Sequence, residues 1–203
     1  MRVHSWCVIA LLASSLGCVP QSRRDSAPNL HAHFAATLAM AELDADKDGL
    51  IDRTELVKCP ALLNAIDAYD TNRDGKLAHE EITKRLRSFS PGRLATCSPT
   101  FQVLLDGKPL SGATVQLEPE RFLGPVMKPA EGITDGSGIV NPRAPQLGTA
   151  GVYCGLYRVL VSWHDNERRE QIPARYNSAT TLGQELAPDT PQAMIILQLS
   201  SKK

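Results

Sequence analysis

The sequence has no excess of charge of either sign and no long hydrophobic run. Its 203 residues carry 22 basic and 22 acidic side chains, which gives a formal net charge of zero. Because binding to the phosphate backbone of nucleic acids needs a surplus of positive charge, nucleic acid is not expected as the main partner. A membrane-spanning helix takes about 20 apolar residues, and no segment approaches that length. Hydrophobic residues make up 42% of the chain, which excludes disorder throughout and allows one or two buried cores.

The first 17 residues have the composition of a secretory signal. Arg2 is followed by an apolar stretch at residues 7–12 and then by small residues up to Gly17. This order predicts a signal peptide over residues 1–17 and an exported chain. Ordinary cleavage before Cys18 would release a periplasmic or secreted protein.

Cys18 adds a second interpretation of the same segment. Residues 15–18, Ser-Leu-Gly-Cys, resemble the lipobox of bacterial lipoproteins, in which the cysteine after a small residue is lipidated and becomes the N-terminus. The resemblance implies a lipoprotein of the cell envelope that meets the membrane only through an anchor on Cys18. Residues 18–33 are polar and contain two prolines, as expected for a lipid-anchor cysteine followed by a flexible tether.

Residues 44–55 combine alternating acidic side chains with a glycine. Carboxylates at positions 44, 46 and 48 can surround one point, and Gly49 permits the sharp turn that follows. A hard cation such as Ca²⁺ takes roughly six to eight oxygen ligands. Leu50 needs to offer only its backbone carbonyl, Asp52 can act through a water, and Glu55 can close the coordination sphere with both oxygens. The predicted ligands of this first loop are Asp44, Asp46, Asp48, Leu50, Asp52 and Glu55.

A second copy of the pattern occupies residues 70–81. Gly75 stands at the turn, and Lys76 can supply a backbone carbonyl despite its charge. Ala78 replaces the side chain that would hold a bridging water. The predicted ligands of this second loop are Asp70, Asn72, Asp74, Lys76 and Glu81. Because this loop has three carboxylates against five in the first, we expect two Ca²⁺ sites of which the first is tighter.

Both patterns match the EF-hand calcium loop, so residues 34–90 resemble an EF-hand pair. Apolar residues at helical spacing precede each loop and follow the second, and they predict the flanking helices. These apolar stripes are Leu30, Phe34, Leu38 and Ala41, then Leu62, Ile66 and Tyr69, then Ile82, Leu86 and Phe89. Only residues 56–69 separate the loops, so we expect short middle helices that join near Pro60 and no large sensor-type opening.

Dockerin modules are a second family that this region resembles, because they also carry tandem calcium loops at close spacing. That resemblance implies a calcium-dependent scaffold module that binds a protein partner. Dockerins lack the helix that enters each loop, whereas this sequence has an apolar stripe before both loops. An ordinary EF-hand pair is therefore favoured over a dockerin.

From Thr100 onwards the hydrophobic period changes from helical to alternating. Short alternating runs occur at residues 101–105, 113–117, 157–161 and 193–199, separated by Gly, Pro, Asp and Asn. Turn sequences lie at residues 106–113 and 134–139. The pattern predicts an all-β sandwich over residues 99–203, joined to the all-α region by a linker at residues 91–98.

Four motifs follow one another in this second region. They are Asp106-Gly-Lys-Pro-Leu-Ser-Gly-Ala113, Thr134-Asp-Gly-Ser-Gly138, Gly155-Leu-Tyr157 and Ile172-Pro-Ala-Arg-Tyr-Asn177. Together they closely resemble the carboxypeptidase regulatory-like, transthyretin-like domain of small bacterial lipoproteins, over about residues 97–203. The resemblance implies an immunoglobulin-like (transthyretin-like) sandwich of about seven strands without a general catalytic site. A glycan and another protein are the ligand classes left open for such a module.

Three cysteines remain in the mature chain if Cys18 is lipidated, namely Cys59, Cys97 and Cys154. Export permits disulfide bonds, and three thiols allow one bridge and one free cysteine. A Cys97–Cys154 bond would staple the sandwich, whereas a Cys59–Cys97 bond would join the two domains. Both pairings stay open at this level.

An enzymatic interpretation is less favoured. A related sandwich in intradiol dioxygenases binds iron through two tyrosines and two histidines, and Tyr153, Tyr157, His164 and Tyr176 lie in the corresponding half of this chain. That half contains a single histidine, so the ligand set is incomplete. No Ser-His-Asp, Cys-His or paired-carboxylate arrangement stands out either. We therefore expect a calcium-binding, non-catalytic envelope protein rather than a metal-dependent enzyme.

Overall fold

The computed structural model describes residues 29–90, 94–148, 150–189 and 193–202. The predicted signal peptide, Cys18 and most of the predicted tether lie outside the described residues. Within these ranges a helical region is followed by a region rich in β-strands. None of the helices in this part of the chain is long and apolar enough to cross a membrane.

The helical region contains two helices that lead into the predicted loops and one that leaves the second loop. Their bounds are α1 (Ala32–Leu43), α2 (Pro60–Tyr69) and α3 (His79–Ser88), and a short 3₁₀ helix spans Glu55–Lys58. α2 begins at Pro60, because proline has a fixed helical φ and its missing N–H is not needed in the first turn. The predicted shortening of the middle helices near this residue is confirmed.

The buried face of α1 differs from the predicted apolar stripe. Leu30 is buried, but Phe34 is 62% exposed and Ala41 is exposed as well. The helix instead buries four alanines and a leucine, namely Ala32, Ala35, Ala36, Ala39 and Leu43. α1 packs against α3, and small side chains at such a contact let two helices approach closely. The stripe prediction was wrong for Phe34 and Ala41, whereas Leu30 is buried and Leu38 packs against the core.

The other two predicted stripes are confirmed. The residues before the second loop and those after it are all buried, namely Leu62, Ile66, Tyr69, Ile82, Leu86 and Phe89. Together with the buried residues of α1, these side chains form the core of the helical region. Charged side chains at both ends of α3 interact favourably with the helix dipole. Glu80 and Glu81 lie in the first turn, and Arg85 and Arg87 lie in the last.

Twelve β-strands are present in the described residues. The helical region contributes β1 (Leu50–Ile51) and β2 (Leu77–Ala78). The strand-rich region contributes β3 (Thr96–Cys97), β4 (Phe101–Leu105), β5 (Lys108–Pro109), β6 (Thr114–Pro119), β7 (Ala130–Ile133), β8 (Ile139–Val140), β9 (Val152–Tyr153), β10 (Gly155–Ser162), β11 (Gly183–Leu186) and β12 (Ile195–Leu199). The four strands predicted from alternating residues correspond to β4, β6, β10 and β12.

The ten strands of the strand-rich region form two larger sheets and one short ribbon. One sheet has the antiparallel order β11-β10-β6-β7, and the other has the order β12-β4-β5 with β8 also pairing with β4. β12 runs parallel to β4, whereas β3 and β9 pair antiparallel. The inward residues of both sheets belong to one hydrophobic core, which includes Phe101, Val103, Val115, Leu117, Val159, Val161, Leu197 and Leu199.

The predicted tight turns are present. Asp106 and Gly107 join β4 to β5 with φ values of 50° and 79°, as a two-residue hairpin turn requires. Between β7 and β8, the Asp135 carboxylate accepts the N–H groups of Ser137 and Ile139 at 2.8 and 2.9 Å. This second turn carries the chain from one sheet to the other, since β7 pairs with β6 and β8 pairs with β4.

The helical region packs directly on the strand-rich region. α2 lies against β11, where the Asn64 side chain donates a hydrogen bond to the Gly183 carbonyl at 3.0 Å. A Cβ atom on Gly183 would lie only 2.1 Å from the backbone nitrogen of Ala61. Only a residue without a side chain allows this approach between the two backbones.

Arg85 forms a second contact between the regions. Its guanidinium donates to the Glu185 carboxylate at 3.0 and 2.7 Å, and to Asp189 at 2.7 and 3.1 Å. The Glu185 side chain is only 8% exposed, so this ion pair is largely removed from water. A bidentate pair of this kind fixes α3 in both position and orientation relative to β11.

Glu120 is a buried carboxyl near the same boundary. The residue is 7% exposed, and Oε1 has no hydrogen-bond partner in the described part of the chain. Burial raises the pKa of Glu120 to about 7, although the Cys59 thiol and the Arg158 guanidinium oppose the shift and Glu42 adds to it. The residue precedes a 3₁₀ helix, Arg121–Leu123, that packs against α1.

The three described cysteines occupy two separate places. Cys97 is paired with Val152 in the β3–β9 ribbon, and the N–H of Cys154 donates to the carbonyl of Ala95 at 2.8 Å. Since alternate residues share a face, Cys97 and Cys154 lie diagonally on one face of this ribbon. Cys59 is buried near Glu120. The strand register therefore favours Cys97 with Cys154 over Cys59 with Cys97.

Candidate metal centre

The first loop folds tightly between α1 and the 3₁₀ helix. Lys47 and Gly49 have φ values of 62° and 86°, and these two left-handed residues turn the chain around a central point. Asp44, Asp46 and Asp48 each direct a carboxylate oxygen to that point, and the three oxygens lie within 4.8 Å of one another. The alternating spacing read from the sequence therefore brings three carboxylates together, as predicted.

Backbone N–H groups hold the carboxylates of this loop in place. Gly49 donates to Asp44 Oδ2 at 3.1 Å, and Leu50 donates to Asp48 Oδ1 at 2.8 Å. Glu55 accepts from Ala45 through Oε1 at 2.6 Å and from the Asp52 N–H through Oε2 at 3.0 Å. The last predicted ligand is thus folded back over the start of the loop.

One buried carboxylate oxygen in the loop has no donor in the described residues. Asp44 Oδ1 is buried and has no hydrogen-bond partner in the described residues. A buried carboxylate oxygen without a partner is unfavourable unless a cation or a water satisfies it. Oxygen donors grouped in this way suit a hard cation such as Ca²⁺ rather than a metal that prefers nitrogen or sulfur. The residues of the first loop therefore fit a calcium ion.

The remaining predicted ligands of the first loop have clear positions. Asp52 accepts the N–H groups of Thr54 and Glu55 at 2.7 and 3.0 Å, so it caps the 3₁₀ helix. Leu50 begins β1, which lies within the loop. Ile51, the second residue of β1, is fully buried.

The second loop repeats the backbone geometry of the first. Arg73 and Gly75 have φ values of 62° and 83°, and Gly75 donates to Asp70 Oδ2 at 2.8 Å. Glu81 accepts from the N–H of Thr71 at 2.8 Å and from the N–H of Ala78 at 3.0 Å. The last carboxylate is folded over the start of the loop here as well.

Asn72 and Asp74 are bonded to each other in the second loop. The Asn72 amide donates to Asp74 Oδ2 and its oxygen accepts the Asp74 N–H, both at 2.9 Å. In the described ranges, one group of three or more acidic, histidine or cysteine side chains is close enough together to hold a metal. This group consists of Asp44, Asp46 and Asp48. The second loop thus keeps the ligand types, with the amide of Asn72 at the position that the carboxylate of Asp46 has in the first loop.

A short antiparallel ladder joins the two loops. Leu50 pairs with Ala78, and Ile51 pairs with Leu77. Ile51 and Leu77 are both fully buried, so the ladder is anchored in the core of the helical region. This pairing holds the two predicted sites side by side.

Sequence reasoning missed an ion pair between the loops. The Lys76 Nζ atom lies 2.9 Å from Asp48 Oδ2, although the two residues are 28 positions apart. A hydrogen bond from Lys76, with a second from the Leu50 N–H, lowers the pKa of Asp48. The sequence assigned Lys76 only a backbone carbonyl, and a lysine at that position gives no local signal of a partner in the other loop.

The residues considered for iron binding do not gather in one place. Tyr157 is fully buried and donates its hydroxyl to the carbonyl of Tyr153 at 2.7 Å. His164 is exposed and lies 3.7 Å from Glu170 across a surface bridge. Tyr176 stacks with Arg175. The hydroxyl of Tyr157, the ring of His164 and the ring of Tyr176 thus each have a different local partner.

Comparison with known proteins supports the assignment of both loops to EF-hand motifs. The family model described as EF hand matches the chain twice, over residues 38–60 and 63–86, and each match contains one loop. No curated protein matches the chain at significant similarity. The loops and their flanking helices therefore define an EF-hand calcium-binding motif. In this particular chain the motif is a closely spaced pair, set in a helical region that precedes a strand-rich region.

Proposed function

We propose that this is an exported, calcium-binding protein of the cell envelope, anchored by a lipid on Cys18 and without catalytic activity. Residues 34–90 form the EF-hand pair, and residues 99–203 form a transthyretin-like, immunoglobulin-like sandwich that binds a glycan or a protein. The single observation that carries the proposal is the pair of joined loops in a helical region that packs against the strand-rich region. Two sheets that share one core support the sandwich.

Calcium in this protein acts as a structural brace rather than a switch. Calcium is abundant outside the cytosol, and extracellular sites with dissociation constants of about 10⁻⁴ to 10⁻³ M stay filled there. A sensor must separate its helices to expose a groove. Here Asn64 of α2 and Arg85 of α3 are bonded to the strand-rich region, which opposes such a separation. Calcium binding in the loops then rigidifies helices that already pack against the strand-rich region.

The first site is the tighter of the two in this proposal. The first loop has five carboxylates, and Asp44 Oδ1 has no hydrogen-bond partner in the described residues. The second site has three carboxylates, and Ala78 offers no side chain to hold a bridging water. Affinity in such loops rises with the charge and number of ligands.

Calorimetry on the mature chain tests the calcium proposal. We expect two binding events, of which Glu55→Gln removes one and Glu81→Gln removes the other, since each loses the ligand that supplies two oxygens. At calcium concentrations about ten to one hundred times the dissociation constant, each filled site should add about 1.4 to 2.7 kcal/mol to the free energy of unfolding.

Glu80→Gln is the matched control, because it makes the same chemical change beside Glu81 on an exposed side chain. It should leave both binding events in place. Absence of binding heat, together with an unchanged melting temperature in calcium, would refute the proposed function.

Cell fractionation tests the proposed membrane anchor. Fractionation of cells should find the wild-type protein with membranes and the Cys18→Ser variant in the soluble fraction. A wild-type protein that is soluble and begins at Cys18 without lipid would contradict the anchor and leave ordinary export.

A dockerin-like scaffold is the second candidate, and close spacing of the two loops favours it. The presence of α1 and α2 before the loops favours an ordinary EF-hand pair instead. A stoichiometric protein partner captured only in the presence of calcium, and lost in both Glu55→Gln and Glu81→Gln, would support the scaffold function.

A further inference from the structure

Lys76 reaches from the second calcium loop into the first. Its Nζ atom contacts Asp48 Oδ2 at 2.9 Å, and both side chains are 39% exposed. The ladder between the loops, in which Leu50 pairs with Ala78 and Ile51 with Leu77, holds Lys76 beside the first loop. The ammonium group of Lys76 therefore lies beside the acidic cluster of the first loop.

The oxygen that Lys76 occupies is the one that a cation would need. Asp48 Oδ1 already accepts the Leu50 N–H at 2.8 Å, so Oδ2 is the oxygen of this carboxylate that has no backbone donor. Asp48 is also one of the three residues whose oxygens gather within 4.8 Å. An ammonium group bonded to Oδ2 therefore competes with a cation for a predicted ligand.

We propose that Lys76 is an affinity-determining residue of the first calcium site, where its ammonium group acts as a tethered competitor of Ca²⁺. The inference rests on the proposed calcium function. Calcium binding in the first loop displaces Lys76 from Asp48 or shares the carboxylate with it, and both lower the affinity of that site. The residue belongs to the second loop by sequence, so it also couples the two sites.

Removal of the ammonium should raise the affinity of the first site. The test uses a Glu81→Gln background, in which only the first site binds calcium, and measures the dissociation constant by calorimetry. Lys76→Gln in that background should tighten binding by about two- to fivefold, the range of an exposed ion pair. Lys76→Arg keeps the charge and should stay close to the parent.

Arg73→Gln is the matched charge control. It removes the same charge from the same loop, and Arg73 forms no ion pair in the described residues. Its effect on the first site should be clearly smaller than that of Lys76→Gln. Equal effects of the two substitutions, or no effect of Lys76→Gln, would overturn the role of Lys76.

A double-mutant cycle with Asp48 locates the effect. Asn is an accepted residue at this loop position, so Asp48→Asn should retain weaker binding and lack the partner of Lys76. In that background Lys76→Gln should change the affinity little, whereas an undiminished gain would overturn the proposal. Failure of the Glu81→Gln protein to bind calcium at all would instead refute the calcium function of the first loop, and the role of Lys76 would fall with it.

Discussion

Gly183→Ala would test whether the helical and strand-rich regions fold as one body. The added methyl would lie 2.1 Å from the nitrogen of Ala61, 2.2 Å from the carbonyl carbon of Pro60 and 2.5 Å from the Ala61 Cα. Non-bonded heavy atoms need about 3.5 Å, so α2 must move away from β11 by roughly 1.4 Å. These neighbours are backbone atoms of the first turn of α2, and no rotamer change can relieve the clash.

The expected loss of stability follows from two contributions. Overpacking costs about 1 to 3 kcal/mol, and a clash with backbone belongs at the upper end. The shift also strains the hydrogen bond from Asn64 to the Gly183 carbonyl, which adds about 1 kcal/mol. The free energy of unfolding, measured by urea denaturation in calcium, should therefore fall by about 3 to 4 kcal/mol.

Gly136→Ala is the control for this measurement. A Cβ atom on Gly136 would have no neighbour within 4 Å, and its φ is not in the left-handed region. Its effect should stay within about 0.5 kcal/mol. A Gly183→Ala protein as stable as the Gly136→Ala control would refute the close backbone contact between α2 and β11.

Three further predictions follow from buried groups. Because burial raises the pKa of Glu120 from 4.5 to about 7, the folded state binds the extra proton between these pH values. The contribution of Glu120 to stability is therefore fully present below pH 4.5 and is lost as the pH rises through 7. Glu120→Gln should remove about 3 kcal/mol of this pH dependence in urea denaturation, and an unchanged pH profile would contradict the assignment. Arg85→Met should lower the free energy of unfolding by about 3 to 5 kcal/mol, because it leaves Glu185 buried without a partner. Adding Glu185→Gln should restore part of this loss. Equal stability of the single and double variants would argue against the buried pair. Under mild oxidation, peptide mass mapping should find a bond between Cys97 and Cys154, and a bond from Cys97 to any other cysteine would contradict the strand register.

The sequence alone determined the two calcium loops. Their ligands stand at alternate positions within twelve-residue segments, and a glycine at the sixth position allows the turn, so the information is local. The same holds for the hairpin at Asp106 and Gly107 and for the strands that alternate between buried and exposed residues. Such features depend on the backbone preferences of neighbouring residues.

The face of α1 could not be read correctly from the sequence. A stripe of larger side chains suggested that Phe34 is buried, yet α1 buries alanines against α3. Which face of a helix is covered depends on the surface that it meets, and that surface comes from residues far along the chain. The parallel pairing of β12 with β4 is another such feature, since no local turn joins these strands.

Only the tertiary structure decided which distant residues meet. Asn64 and Gly183 are 119 positions apart, Arg85 and Glu185 are 100 apart, and Lys76 meets Asp48 across 28 positions. The chain encodes the calcium ligands locally because one ion must be wrapped by one short loop. The packing of α2 and α3 against β11, and the contact of Lys76 with the first loop, depend on long-range packing that no local residue pattern specifies.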